Sequence, residues 1–316
     1  MRSGAAGNHV GYFHETAFYD SDESFLSIVE PFLREGVECG EPTLVTCAAP
    51  NAALLRRALG PLDGVTFIAG EARYVTPAAT IRSYREHFTK LVAGGAEQIR
   101  VVGDVPHPGR GVPWDSWARY EAAINHAYDS FPLWGMCPYD LRTTPDFVLD
   151  EVVRTHTHVA SPAGHRANDC YTPPTQFLDR RAASADPLEA TPPDVALRDP
   201  SPKQARAVVQ ELSSATQLEP HDIEGLVLSV SETITNGILH GREPVDMRVW
   251  VRPTRVVVTV HDAGSGPADP LAGLLPPPEG SLGGRGMWLS HLSCADVNLR
   301  VDVHGFTVRL VAGDLV

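Results

Sequence analysis

Apolar positions fall into two regimes along this chain. Up to about residue 160, short continuous apolar runs alternate with stretches of helical spacing. Residues 43–47, 65–68, 99–105 and 133–137 read as buried strands. Between them, residues 52–59, 76–92 and 115–128 read as amphipathic helices. In the second of these Ile81, Tyr84, Phe88 and Leu91 lie three or four apart; in the third, Trp117, Tyr120, Ile124 and Tyr128 do. Strand and helix in alternation predict a parallel sheet covered on both faces. Beyond residue 200 the order changes. Helical spacing over 203–212 and 222–240 comes first, then adjacent strands over 246–252 and 256–261. A Gly/Pro-rich loop over 263–284, a short helix near 287–292, and strands over 296–303 and 306–311 follow. Helices first and hairpin-paired strands later predict an α+β sandwich.

The stretch 163–199 belongs to neither regime. It carries Pro173-Pro174, Pro187 and Pro192-Pro193 and no sustained apolar periodicity. Proline removes backbone donors and biases its neighbours to extended conformations, so a long element is not expected. We read it as a semi-rigid linker between domains at 1–162 and 200–316.

Composition narrows the function classes. A length of 316 residues fits two domains. The formal net charge of −13 opposes broad contact with nucleic-acid phosphates or an anionic membrane surface. No run reaches the length of a membrane-spanning helix, and the first residues lack an apolar signal core. Five scattered cysteines form neither a disulfide framework nor a CxxC pair. These features lead us to expect a cytoplasmic protein.

Three constellations in the C-terminal half carry chemistry. Glu232 and Asn236 lie four apart on a predicted helix and share a face. Asp262-Ala263-Gly264-Ser265-Gly266 follows a predicted strand. Gly283-Gly284-Arg285-Gly286 precedes a short helix. A carboxylate at a strand end can accept a hydrogen bond from an exocyclic amine such as that of adenine. Glycines let backbone approach a ligand, and N–H groups at a helix start attract phosphate. An Asn oxygen suits magnesium, and a carboxylate one turn away can take a proton from an attacking hydroxyl. The phosphate loop GxxxxGK followed by Ser or Thr is absent; the only lysines are Lys90 and Lys203.

In this order the three constellations resemble the ATP-binding superfamily shared by gyrase, Hsp90, histidine kinases and MutL, the GHKL or Bergerat fold. Residues 196–316 look most like the anti-sigma serine kinases of bacterial partner switching, the RsbW type. That resemblance implies ATP and Mg2+ as cofactors, Glu232 as catalytic base, Asn236 as magnesium ligand and Asp262 as adenine reader. Gly264 and Gly266 would form the adenine-side turn; Gly284, Arg285 and Gly286 would lie on the phosphate side, where Arg285 is equally readable as a solvated loop residue. Implied partners are a STAS-fold anti-sigma-factor antagonist and a sigma factor, with a homodimer as a common state. The alternatives are an ATP-responsive binding switch without phosphate transfer, its lid at 268–282, and a histidine kinase. The latter needs an upstream helical hairpin, and the sequence there is proline-rich.

Residues 9–159 resemble the MEDS sensory domain, on Gly11-Tyr12-Phe13, Leu44-Val45-Thr46, Trp117 and Cys137-Pro138-Tyr139-Asp140. This likeness implies a RecA-like parallel sheet with a degenerate P-loop, and an unknown signal. Residues 43–46 would be its first strand, followed by Cys47-Ala48-Ala49-Pro50-Asn51-Ala52 without a lysine. A ligand pocket is expected near His107 and Trp114, with Cys137, Tyr139 and Asp140, at the strand C-termini; simple packing of the tryptophans competes with it. His156 and His158, two apart on a presumed strand, with His165 and Cys170, fit no zinc spacing.

Overall fold

The computed structural model describes residues 2–181, 184–277 and 284–315. It forms two compact units, the first ending at Leu178 and the second beginning at Asp179.

The first unit is built, in chain order, from β1 (Phe13–Tyr19), α1 (Asp22–Glu38), β2 (Thr43–Thr46), α2 (Ala49–Leu59), β3 (Val65–Phe67), α3 (Gly70–Arg73), α4 (Pro77–Ala93), β4 (Ile99–Gly103), α5 (Asp115–Ala127), β5 (Leu133–Asp140), α6 (Asp146–Thr155), β6 (His158–Ser161), β7 (Gly164–Ala167) and α7 (Pro174–Arg180), the last crossing into the second unit. Its sheet runs β3-β2-β4-β5-β1-β6-β7. Every pairing is parallel except β6 with β7. The expected strands and helices are present. The first strand is not residues 43–46, however, but β1, which lies centrally between β5 and β6. Its polar centre disguises it. His14, Glu15 and Thr16 are fully buried because each has a partner inside. Glu15 accepts from Trp134 Nε1 at 2.6 Å and faces His165 at 2.8 Å, and Thr16 donates to the Cys137 carbonyl at 3.0 Å.

The turns that follow β1 and β2 both carry an acidic group at the helix start. After β1, Asp22 and Glu23 fill the first turn of α1, whose N-cap is Ser21. After β2, the Asp104 carboxylate accepts from Ala48 N at 3.0 Å and from Asn51 Nδ2 at 3.0 Å. A protein carboxylate thus occupies the anion position at the start of α2.

The second unit continues with β8 (Val195–Arg198), α8 (Pro202–Ser213), α9 (Pro220–His240), β9 (Asp246–Arg252), β10 (Arg255–Asp262), α10 (Arg285–Ser293), β11 (Asp296–Asp302) and β12 (Gly305–Gly313). The sheet order is β11-β12-β10-β9-β8, antiparallel throughout. Strand alternation sorts its faces. Val256, Val258 and Val260 of β10 join Leu226, Val230 and Ile234 of α9 and Ala205 and Val209 of α8 in one core. Val257 points the other way, with Trp250, Val311 and Leu188.

Leu188 belongs to the stretch expected to be a linker, and here the structure differs. Residues 164–167 are the edge strand β7 and residues 195–198 the edge strand β8. Between them residues 184–191 strap the outer face of the second sheet. Trp250 Nε1 donates to the Thr191 carbonyl at 3.0 Å, and Glu189 pairs with Arg300 at 3.1 Å and Arg309 at 3.5 Å. Proline excludes long elements but not edge strands, which need fewer backbone donors. Ala182 and Ala183 lie outside the described residues.

The packing of α8 depends on its start. Ser201 Oγ accepts from Gln204 N, and Gln204 Oε1 accepts from Ser201 N, a reciprocal cap. Ser201→Ala is expected to cost about 1 kcal/mol, typical of a lost N-cap, read as a lower urea midpoint with an unchanged denaturant slope.

Candidate functional site

Helix α9 and the end of β10 bring the C-terminal candidates together. Asp262, the last residue of β10, is 5% exposed. Its Oδ1 accepts from Gly264 N at 2.7 Å and from Arg242 N at 3.2 Å. These bonds fix the carboxylate and leave Oδ2 without a partner among the described residues. Two glycines make room: a Cβ at Gly241 or Gly264 would lie 2.6 Å from Oδ1.

Gly241 closes α9, its N–H bonded to the Asn236 carbonyl at 3.2 Å. Asn236 therefore sits one turn back from Asp262, and Glu232 one turn further. Both are partly buried. Neither side chain makes a hydrogen bond or ion pair among the described residues. The far end of this row meets α10. A Cβ at Gly286 would lie 2.4 Å from Glu232 Oε2 and 3.2 Å from Glu232 Cβ, so glycine lets the first turn of α10 approach that side chain closely. Gly284 caps α10 in the left-handed conformation, with φ 83°. Arg285 is exposed at the first helical position. Gly266 has φ 70°, as a turn requires, and lies against the Phe306 ring. Gly283 and residues 278–282 of the expected lid lie outside the described residues. The described part of that loop anchors through Leu271 and Leu274, both buried.

The row Asp262, Asn236, Glu232 and the α10 N-terminus is chemically graded. It offers a fixed acceptor, a neutral oxygen donor, a free carboxylate and a helix start. These residues fit an adenine nucleotide with magnesium.

In the first unit the pocket expectation is met only in part. His107 and Trp114 are buried by packing: their rings lie 6.1 and 6.4 Å from that of Tyr139, and Trp114 Nε1 bonds Glu151 at 2.7 Å. Asp140 is held by Arg142 at 2.8 Å. Cys137 instead lines a separate cavity with Tyr12, Tyr74, Tyr84, Tyr120 and Tyr128.

The histidine grouping 156, 158, 165 with Cys170 is not brought together. His156 follows α6 and packs on His14, with ring centroids 3.9 Å apart. His158 stacks on Phe13, also at 3.9 Å. Phe13 and His14 are consecutive on β1, so the two histidines occupy opposite faces of the sheet. His165 pairs with Glu15, and Cys170 is exposed. The partners His156 does have, namely His14, Glu121 and Cys137, are scattered along the chain and leave no local motif.

The fold and the graded row are those of a two-unit chain, an α/β unit followed by one of ATPase type. Residues 13–157 match the family model of MEDS, the methanogen/methylotroph DcmR sensory domain. Residues 196–312 match that of the histidine kinase-like ATPase domain. The chain thus contains both domains. Over 164 residues it is 24% identical to the transcriptional repressor DcmR of Methylorubrum extorquens, a match covering 48% of this chain and 61% of that protein. The chain therefore spans less than two thirds of that relative. Among the described residues no helix is long and apolar enough to cross a membrane.

Proposed function

We propose that this chain is an ATP-dependent anti-sigma factor and protein serine/threonine kinase, gated by its MEDS domain. In one state the C-terminal domain holds a sigma factor in the cytoplasm. In the other it phosphorylates a STAS-fold antagonist on a Ser or Thr hydroxyl. The observation that carries this reading is the Glu232 carboxylate, without a hydrogen bond or ion pair among the described residues and one turn from Asn236 on α9, in a row that ends at Asp262 of β10. ATP with magnesium, when bound, supplies an electrophilic phosphoryl group with its charge neutralised. Asp262 Oδ2 would accept from the adenine amine, Asn236 would hold the metal through its amide oxygen, and Glu232 would take the proton of the acceptor hydroxyl. Against a histidine kinase stands the segment preceding the ATPase domain. Between residues 164 and 198 the described residues form strands, a strap and a seven-residue helix rather than a dimerising hairpin.

The test is incubation with γ-labelled ATP, Mg2+ and a STAS antagonist. Acid-stable label on the antagonist is the expected result. ATP-driven partner release without label selects the binding switch, and acid-labile label on the chain itself selects a histidine kinase. Asp262→Asn is expected to weaken ATP about ten- to a hundredfold, the range for losing a charge-assisted hydrogen bond, measured by calorimetric titration.

A further inference from the structure

Four side chains from separate parts of the MEDS domain converge below its surface. His14 comes from β1, Glu121 from α5, Cys137 from β5 and His156 from the residue after α6. All four are buried, and their ligand atoms lie within 4.8 Å of one another. His14 Nε2 is 3.5 Å from Glu121 Oε2 and 3.6 Å from Cys137 Sγ; His156 Nε2 is 3.6 Å from the same Glu121 oxygen.

The surroundings fix which atoms carry protons. Asn125 donates its amide to the Thr155 carbonyl at 2.8 Å and the Glu121 carbonyl at 3.0 Å. Its oxygen therefore faces His14 Nδ1, at 3.1 Å, as an acceptor. The Val152 carbonyl accepts from His156 Nδ1 at 2.8 Å. Both histidines are thus protonated on Nδ1 and aim the Nε2 lone pair inward. Glu121 Oε1 is held by the Tyr139 hydroxyl at 2.5 Å, which aims Oε2 inward as well.

Without a further atom this arrangement is poorly satisfied. A thiol proton on Cys137 serves either His14 or Glu121, not both. His156 Nε2 and Glu121 Oε2 remain buried with no hydrogen-bond partner, although native proteins pair nearly all such atoms. At 3.5 and 3.6 Å the histidine–carboxylate contacts are too long to be hydrogen bonds. They do match ligands around one ion. Two donors about 2.1 Å from a tetrahedral centre lie about 3.4 Å apart, and a nitrogen and a thiolate sulfur about 3.6 Å apart.

We propose that His14, Glu121, Cys137 and His156 bind one divalent transition-metal ion, of which zinc best suits the set. A thiolate and a carboxylate cancel the ion's two charges, and two neutral imidazoles complete four coordination, so the buried centre is neutral. Thiolate with imidazole selects zinc and its neighbours over magnesium or calcium. Asn125, Val152 and Tyr139 hold the ligands from behind, as outer partners do at established metal sites. Cys137 also lines the tyrosine cavity, and Tyr12 of that cavity stacks on His14 at 4.7 Å. A small molecule in the cavity would therefore lie against one ligand, Cys137, and against the ring that stacks on another. The proposal is independent of the ATP site.

The test uses the full chain, purified under reducing conditions from medium supplemented with Co2+ or Zn2+. One equivalent of metal per chain is expected, and the cobalt form should show intense tetrahedral d–d bands and a thiolate-to-cobalt charge-transfer band. Cys137→Ser should remove the charge-transfer band, and Glu121→Gln should weaken Co2+ binding at least about tenfold. Cys47→Ser and Cys170→Ser should leave the spectrum unchanged. Substoichiometric metal, or a charge-transfer band that survives Cys137→Ser, overturns the site. Where Cys137→Ser does not fold, X-ray absorption at the zinc edge of the unaltered protein decides. One sulfur among nitrogen and oxygen scatterers supports the site, and a sulfur-free shell refutes it.

Discussion

Glu232→Gln is expected to slow phosphoryl transfer to the antagonist by about 10²–10⁴-fold, the span for losing a positioned general base, while ATP affinity stays unchanged. The two halves of this expectation have separate physical origins. Gln keeps the shape of Glu, and the close approach of Gly286 to Oε2 depends on shape. The carboxylate makes no hydrogen bond or ion pair among the described residues, so the change breaks no such contact. What is lost is proton affinity. Single-turnover rates with saturating ATP, set beside calorimetric ATP titration, separate the two. Unchanged transfer removes Glu232 from the base role. A parallel fall in affinity would show instead that α10 no longer seats on α9.

Much of the C-terminal domain was legible because its constraints are local. Strand β9 begins and ends where the apolar alternation does, and β10 to β12 differ from expectation by one or two residues. Glu232, Asn236 and Asp262 were readable because helix spacing and a strand end place them without distant information. What was not legible depends on contacts across the chain. The pattern of β1 fails as a strand because His14, Glu15 and Thr16 interrupt the apolar run, and their burial makes sense only once Asn125, Trp134, His165 and the Cys137 carbonyl are in place. The strap at 184–191 reads as linker because its proline content is real, while its anchor is a tryptophan distant in sequence. The His14, Glu121, Cys137 and His156 cluster draws its members from β1, α5, β5 and the residue after α6, and no spacing rule reaches it.

Arg100→Ala is expected to destabilise the MEDS domain by about 3–5 kcal/mol, the cost of breaking a buried ion pair from one side. Arg100 sits on β4 with its side chain fully enclosed. Nε donates to Glu41 at 2.6 Å, Nη1 to the Phe32 carbonyl at 2.8 Å and to Glu35 at 2.9 Å, and Nη2 to Ser3 Oγ at 2.6 Å. The guanidinium also lies over Trp134, 4.5 Å from the ring centroid. Burial raises the Glu41 carboxyl, but hydrogen bonds from Arg100 and Gln98 outweigh it and hold the group below its usual range. A carboxyl depressed on folding stabilises the fold above its unfolded pKa, and that contribution fades as pH falls through the folded value. Removing Arg100 leaves Glu41 with only the neutral side chains of Gln98 and Ser3 to offset its burial, so the variant should lose most stability near neutral pH and less in acid. Hydrogen exchange resolved to β4 and β5 reports this domain separately from the ATPase domain. Arg100→Met combined with Glu41→Gln should recover most of the loss, because the penalty comes from an unpaired buried charge rather than from the missing attraction. A double variant as unstable as Arg100→Ala would instead place the effect in the packing against Trp134 and Phe32.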